Sequence, residues 1–180
     1  MHLETGRLRL RRLTVDDVDD LVELDSDPEV MRYLNGGHPR PRERIRDMMP
    51  HLLAYYERGD DLGYWVVEAG GKFLGWVFFR PHRGDGPPVD VDRSGIEIGY
   101  RLRREAWGNG YATEACRALI VRGFDVVGVT RVFAETMAAN AGSRRVMEKS
   151  GLRHVATFSL DGAPEVQYAL TGAEWRKLHV

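Results

Sequence analysis

The chain has 180 residues, 43% of them apolar, with 26 Lys and Arg against 27 Asp and Glu, six His and a single Cys. That length suits one domain, residues 1–180, with a sizeable core. The formal net charge of −1 argues against a general nucleic-acid binder, which needs a basic excess, and the lone Cys116 rules out an internal disulfide and fits a reducing compartment.

No run is apolar for the roughly 20 residues that a membrane span needs, and the opening Met-His-Leu-Glu-Thr-Gly-Arg lacks the apolar core of a signal peptide. The sequence reads as a soluble cytoplasmic protein, with neither nucleic acid nor membrane as partner. Its oligomeric state is open, a homodimer included.

In chain order, Arg7 to Leu13 alternates leucine with arginine and predicts a first strand. Thr14 suits an N-cap, with Asp16 and Asp17 in the first turn of a short helix that carries Val18, Leu21 and Val22 and ends near Asp25. Asp27-Pro28 restarts a helix, with Pro at its first position. Gly36 to Pro41 is a loop. Arg42 to Arg58 predicts a helix with a kink or break at Pro50. Tyr64–Glu68 and Phe73–Arg80 read as strands joined by Ala69-Gly-Gly-Lys, a hairpin signal. Pro81 to Arg93, rich in Gly, Pro and Asp, reads as a mobile loop.

The stretch from Ser94 to Glu114 carries the strongest signal. Ile96, Ile98, Tyr100 and Leu102 alternate with Gly95, Glu97, Gly99 and Arg101, the period of a strand. Gly99 inside it predicts a bulge or a close approach by another group. Trp107-Gly-Asn-Gly-Tyr-Ala-Thr-Glu114 then feeds a helix that runs to about Val127. A glycine-rich turn at a helix N-terminus aims several N–H groups and the helix dipole at one place, which suits an anion such as a phosphate. A turn without a ligand is the alternative; the coincidence of strand, loop and long amphipathic helix favours the ligand. Cys116 falls on the apolar face of that helix and reads as packed rather than nucleophilic.

Arg131–Thr136 is a further strand, and Gly142–Lys149 a helix with Gly151 past its end. Leu152–Phe158 and Pro164–Leu170 close the chain around an Asp161-Gly162 turn. Helices inserted between strands make the class α/β or α+β, and periodicity leaves the topology open.

Trp107-Gly-Asn-Gly-Tyr-Ala-Thr-Glu-Ala115 resembles the acetyl-CoA loop of the GNAT N-acetyltransferases, and more narrowly of the RimJ/RimL-like branch. Asn140-Ala-Gly-Ser143-Arg-Arg-Val-Met-Glu-Lys-Ser-Gly-Leu152 resembles that branch's second signature, and Leu3 to Arg12 and Asp27 to Leu34 are also similar to it. The resemblance implies the GNAT fold: a mixed, mostly antiparallel sheet of about six to seven strands flanked by helices and splayed at the central strand. It implies acetyl-CoA as cofactor, CoA as product, and an amine acceptor.

On that resemblance, the backbone amides of Gly108, Asn109, Gly110, Tyr111, Ala112 and Thr113 hold the pyrophosphate. Trp107 stands where the family usually has a basic residue or glutamine, so the anion is left to the amides, the Thr113 hydroxyl, or Arg103 and Arg104, for which a solvated strand end is the alternative. The strand at Tyr100 and Leu102 pairs with the pantetheine arm, and a backbone N–H near Tyr100 serves the oxyanion. Asn140 maps to the asparagine that bonds the pantetheine amide, and Ser143 to the group that meets the leaving sulfur; an ordinary N-cap and first-turn serine are the alternatives. Glu97 is the candidate base, since a carboxylate in a partly apolar cleft can take a proton directly or through water; an exposed or salt-bridged strand Glu is its alternative. No histidine pair has metal-ligand spacing, so no metal is implied.

The acceptor is left to alternatives. A protein or peptide α-amine comes first from the branch resemblance, a small amine such as a polyamine, amino acid or antibiotic second, and a CoA-binding sensor without turnover third. Tyr33, Trp65, Trp76 and Phe78 are candidate lining residues as well as candidate core, and Asp85, Asp90 and Asp92 are candidates for attracting a cationic amine.

Overall fold

A computed structural model describes residues 2–58, 61–82 and 91–178. The alternating segments form one eight-stranded sheet in the order β1-β2-β3-β4-β5-β6-β8-β7. Its strands are β1 His2–Glu4, β2 Arg9–Arg12, β3 Gly63–Ala69, β4 Lys72–Pro81, β5 Ile96–Leu102, β6 Arg131–Met137, β7 Arg153–Leu160 and β8 Ala163–Thr171. The strand beyond the expected six to seven is β1. Its three residues are too few for a period to show, and they pair with β2 from His2↔Arg11 to Glu4↔Arg9.

Every neighbouring pair is antiparallel except β5 and β6. These two run parallel and meet only at Ile96↔Val132 and Glu97↔Phe133. Past that point they diverge, so the second half of β5 has β4 on one side and no strand on the other. Backbone groups on such an edge need another partner, and this opening is the splay that the resemblance implies.

The helices are α1 Val18–Ser26, α2 Pro28–Asn35, α3 Arg42–Leu53, α4 Tyr111–Arg122, α5 Ala141–Lys149 and α6 Gly172–Leu178, the last not foreseen from the sequence. They sort onto the two faces by the strand period. Leu10, Trp65, Val67, Val77, Phe79, Ile98 and Val132 share a core with Ala115, Cys116, Leu119 and Ile120 of α4 and Met147 of α5. Leu119 and Ile120 are each 1% exposed, and burying such a side chain stabilises by roughly 1.5–3 kcal/mol. On the other face Tyr64 and Val66 meet Leu21 of α1 and Ile45 and Met49 of α3.

Two local expectations change. α3 runs through Pro50 without a break and tightens into a 3-10 turn only at Ala54. Gly99 forms no bulge, and the register with β4 is regular there. The close approach comes from Phe78, whose ring occupies the space of a side chain: a Cβ on Gly99 would lie 2.4 Å from Phe78 Cζ.

The first turn after β2 is fastened by charge. Arg11 donates to both oxygens of Asp17 at 2.6 and 2.9 Å and to Glu68 of β3 at 2.7 Å, while Thr14 N–H donates to Asp17 at 2.7 Å. Burial pushes the Asp17 carboxyl up, but the Arg11 and Thr14 bonds outweigh it and hold the group below its ordinary value. A depressed native pKa adds stability above the unfolded value, ~3.9, which is lost as pH falls through the native value. Asp17→Asn is therefore expected to cost ~2 kcal/mol at pH 7, by leaving a partly buried guanidinium with Glu68 as its remaining carboxylate. In urea melts the gap from wild type should narrow as pH falls from 5 towards 2; a gap independent of pH would contradict it.

Candidate active site

At the open end of the splay, β5 leads into the glycine loop. Trp107 donates its indole N–H to the Leu102 carbonyl at 2.9 Å and closes the strand end. Asn109 Nδ2 donates to the Trp107 carbonyl at 3.0 Å and tightens the turn. Gly108 and Gly110 have φ of 75° and 79°, a region that favours glycine. Both are exposed, and no side chain caps the first turn of α4. The first helical bond is Glu114 N–H to Gly110 at 3.0 Å. Tyr111, Ala112 and Thr113 therefore present helix-start amides beside an exposed glycine turn, which fits an anionic pyrophosphate.

Arg103 is not part of this place. Its guanidinium is bound to Asp20 at 2.7 Å and to Glu23 at 2.7 and 3.0 Å, on α1. Arg104 is exposed. The cation that does sit on the loop is Arg7, which donates to the Asn109 carbonyl at 2.9 Å and lies 4.8 Å from the Tyr111 ring centroid.

Across the splay, Tyr100 reaches α5. Its hydroxyl donates to the Ser143 carbonyl at 2.8 Å, which leaves its oxygen, 2.9 Å from Ser143 Oγ, to accept from the serine hydroxyl. Burial, with the neighbouring Cys116, pushes the phenol well above its ordinary value despite the Ser143 bond, so it stays neutral. Asn140 is the N-cap of α5: its Oδ1 accepts from Ser143 N–H at 3.1 Å, and its Nδ2 donates to Thr136 at 3.1 Å. Cys116 is 1% exposed, and burial raises its thiol far above the usual range, which leaves no thiolate for covalent catalysis.

Glu97 lies on the opposite face of the sheet from Tyr100, with Ile98 and Gly99 between them along the strand. Its surroundings are polar, not the partly apolar cleft expected. Its Oε2 is 3.3 Å from Arg80 and 3.2 Å from His82 Nδ1. Arg80 and His82 escape sequence reasoning because only the hairpin register, Arg80↔Glu97, brings them to β5. The candidate residues thus fall in two groups, Tyr100, Ser143 and the glycine loop on the α4 face, and Glu97 with His82 on the α1 face.

Along that second face, Glu135 and Glu165 follow from Phe133 by the strand period. Glu135 is bound by Arg93 at 3.0 and 2.7 Å. Glu165 is half-buried, with no ion pair among the described residues. Burial and the Glu135 charge raise its carboxyl above the ordinary value, with Arg93 opposing. Of the aromatic candidates, Trp65 is core at 1% exposed. Trp76 and Phe78 cluster with Tyr64 beneath Arg101 and Arg80 on the Glu97 face, and Tyr33 sits on α2 under Arg32. Asp92 bonds Ser94 N–H and faces Arg131, while Asp85 and Asp90 lie outside the described residues. Among the described residues there is no group of three or more His, Cys, Asp or Glu placed to hold a metal, and no helix long and apolar enough to cross a membrane.

A mixed sheet opened between two parallel central strands, with an uncapped glycine loop at the opening, defines an acyl-CoA-dependent transferase of the GNAT type. The chain belongs to that family: residues 7–153 match the profile described as Acetyltransferase (GNAT) domain. It is an N-acetyltransferase with acetyl-CoA as cosubstrate. It is 33% identical, over 98% of its own length and 78% of the other, to the FsC-acetyl coenzyme A-N(2)-transacetylase of Aspergillus fumigatus. A GNAT-family acetyltransferase from Bacillus anthracis superposes with a TM-score of 0.78, at 25% identity, over 97% of this chain and 100% of that one. The aminoglycoside acetyltransferase AAC(6')-Ib, solved with coenzyme A, shares the fold at 20% identity and a TM-score of 0.79, over 96% and 99% of the two chains.

Proposed function

We propose that this enzyme acetylates a small cationic amine by direct attack within a ternary complex, and Glu165, half-buried and without an ion pair among the described residues, carries that reading. Three carboxylates, Glu97, Glu135 and Glu165, share the acceptor-side face of the sheet. Arginines neutralise the first two, and the third stands at the splayed end with a carboxyl made unstable as an anion by burial and by Glu135. An ammonium group placed there would relieve that repulsion and desolvation. In support, the Aspergillus fumigatus relative is named an N(2)-transacetylase, and a protein of the same fold is an aminoglycoside acetyltransferase. The resemblance of Leu3–Arg12 and Asn140–Leu152 to the RimJ/RimL-like branch favours a second reading, a peptide α-amine acceptor.

Bound acetyl-CoA supplies an activated acetyl group as its thioester. The amides from Gly108 to Thr113, with Trp107 closing the strand end beside them, hold its pyrophosphate, and the free edge of β5 at Tyr100 and Leu102 orients its pantetheine arm together with Asn140. A backbone N–H near Tyr100 supports charge on the carbonyl oxygen. Glu97 accepts the amine proton, directly or through water, with His82 beside it to pass the proton on. Ser143, turning its hydroxyl from Tyr100, bonds the departing sulfur.

The test is release of free CoA with a panel of polyamines, amino acids, aminoglycosides and N-terminal peptides. Turnover with a small amine is expected. Glu165→Gln should raise the KM for that amine about tenfold at unchanged KM for acetyl-CoA, and Glu97→Gln should lower kcat ~100-fold, within the range of a general base. Turnover with peptides alone would replace this reading by the second one.

A further inference from the structure

The segment joining β1 to β2 reaches across the molecule to the start of α4. Residues 5–8 form a tight turn: Thr5 N–H donates to the Leu8 carbonyl at 2.9 Å, and Leu8 N–H donates back to the Thr5 hydroxyl at 3.0 Å. From this turn three groups converge on the Glu114 carboxylate. The Thr5 hydroxyl donates at 2.6 Å, Arg7 N–H at 2.9 Å, and the Arg7 guanidinium through Nε and Nη2 at 2.7 Å each. Burial alone would push Glu114 up, but the Thr5 and Arg7 bonds hold it below its usual value, so it stays a carboxylate. With that edge of the guanidinium fixed, Nη1 donates to the Asn109 carbonyl at 2.9 Å.

We infer that Arg7 is a positioning residue for the cofactor loop: by holding the Asn109 carbonyl it aims the Gly110 amide at the pyrophosphate. The reason is the geometry of the peptide bond. In a planar trans peptide the carbonyl of one residue and the N–H of the next point in opposite directions. A guanidinium that binds the Asn109 oxygen on the side of the β1–β2 turn therefore turns the Gly110 N–H to the other side. Gly110, with φ of 79° and no side chain, would otherwise let that peptide rotate freely. The fork of arginine spans Glu114 and Asn109 at once, which a lysine ammonium cannot do. Glu114 balances the charge of this cation, so Arg7 acts on the loop from 103 positions upstream of Gly110 by orientation rather than by net charge.

The inference rests on reading this loop as the cofactor cradle, and the test separates the two. Arg7→Met keeps the stem and removes the fork. In the ligand-free protein, 15N relaxation order parameters at residues 108–113 are expected to drop from about 0.85 to below about 0.6. The Kd and KM for acetyl-CoA should rise about tenfold, with kcat at saturating acetyl-CoA within twofold. Arg7→Lys should not restore them, and Glu114→Gln, which keeps an oxygen acceptor, should shift them less. Unchanged order parameters with unchanged acetyl-CoA affinity would overturn the inference, even if the melting temperature fell, because Arg7 would then only fasten the turn. Softened amides in a wild-type protein that binds no acetyl-CoA would uphold the ordering by Arg7 and overturn the cradle reading instead.

Discussion

Gly75→Ala is expected to destabilise the protein by about 4 kcal/mol and to lower its melting temperature by roughly 10 °C. Gly75 sits in β4 opposite Leu102, with φ of 143°. A Cβ there would lie 2.1 Å from the Arg101 carbonyl oxygen and 2.7 Å from Leu102 Cα. Both are backbone atoms of β5, so no side chain can give way; the strands must part at the point where β5 turns into the cofactor loop. Gly71→Ala is the comparison. Its φ of 77° carries the same kind of backbone penalty, but nothing lies within 4 Å of its Cβ, so only ~1 kcal/mol is expected. Equal losses in the two variants, by thermal or urea melts, would contradict the steric account.

Gly110→Trp is expected to weaken acetyl-CoA binding at least ~100-fold while the protein stays folded, since a left-handed side chain costs ~1 kcal/mol. A Cβ on Gly110 meets only Arg7 Nη2, at 3.5 Å. A methyl group fits there, so Gly110→Ala should bind acetyl-CoA within a few-fold of wild type. An indole must either cover the amides that start α4 or displace Arg7 from the Asn109 carbonyl, and both remove the cradle. Wild-type affinity in the tryptophan variant would mean that the pyrophosphate lies elsewhere.

The parts legible in the sequence are those whose signal is local. The β5 alternation, the 108 and 110 glycines and the helix that follows lie within 30 residues, and turn chemistry and period identify them without tertiary knowledge. The Ala69–Lys72 hairpin and the Asp161-Gly162 turn are legible for the same reason; their turn residues all have the positive φ expected, from 50° to 80° where angles of that kind occur. β1 was too short for its period to register. Pro50 looked like a break, but tertiary contacts of Ile45 and Met49 with Leu21 and Tyr64 hold the helix together around it.

What sequence reasoning could not reach is what register and long-range pairing decide. Glu97 stands out by its place on the strand, yet its partners Arg80 and His82 arrive only through the β4–β5 pairing. Arg103 looked available to an anion because it precedes the loop; Asp20 and Glu23 of α1 hold it on the other face. Arg7 looked like one more strand arginine, and only the fold brings it to Glu114 and Asn109. The Glu135–Glu165 pair of carboxylates is likewise a product of the β6–β8 ladder, in which Glu135 faces Gln167 and Glu165 faces Met137.

The most direct test of the cofactor site is calorimetric titration of acetyl-CoA into the wild-type protein and into Gly110→Trp, with Gly110→Ala as the control for backbone strain. Micromolar binding to wild type and to the alanine variant, with loss of at least ~100-fold in the tryptophan variant at an unchanged fold, is the expected result; in free energy that loss is ~2.7 kcal/mol. Equal binding to all three proteins, or none to wild type, would contradict the assignment of the loop between β5 and α4 as the place where acetyl-CoA is held.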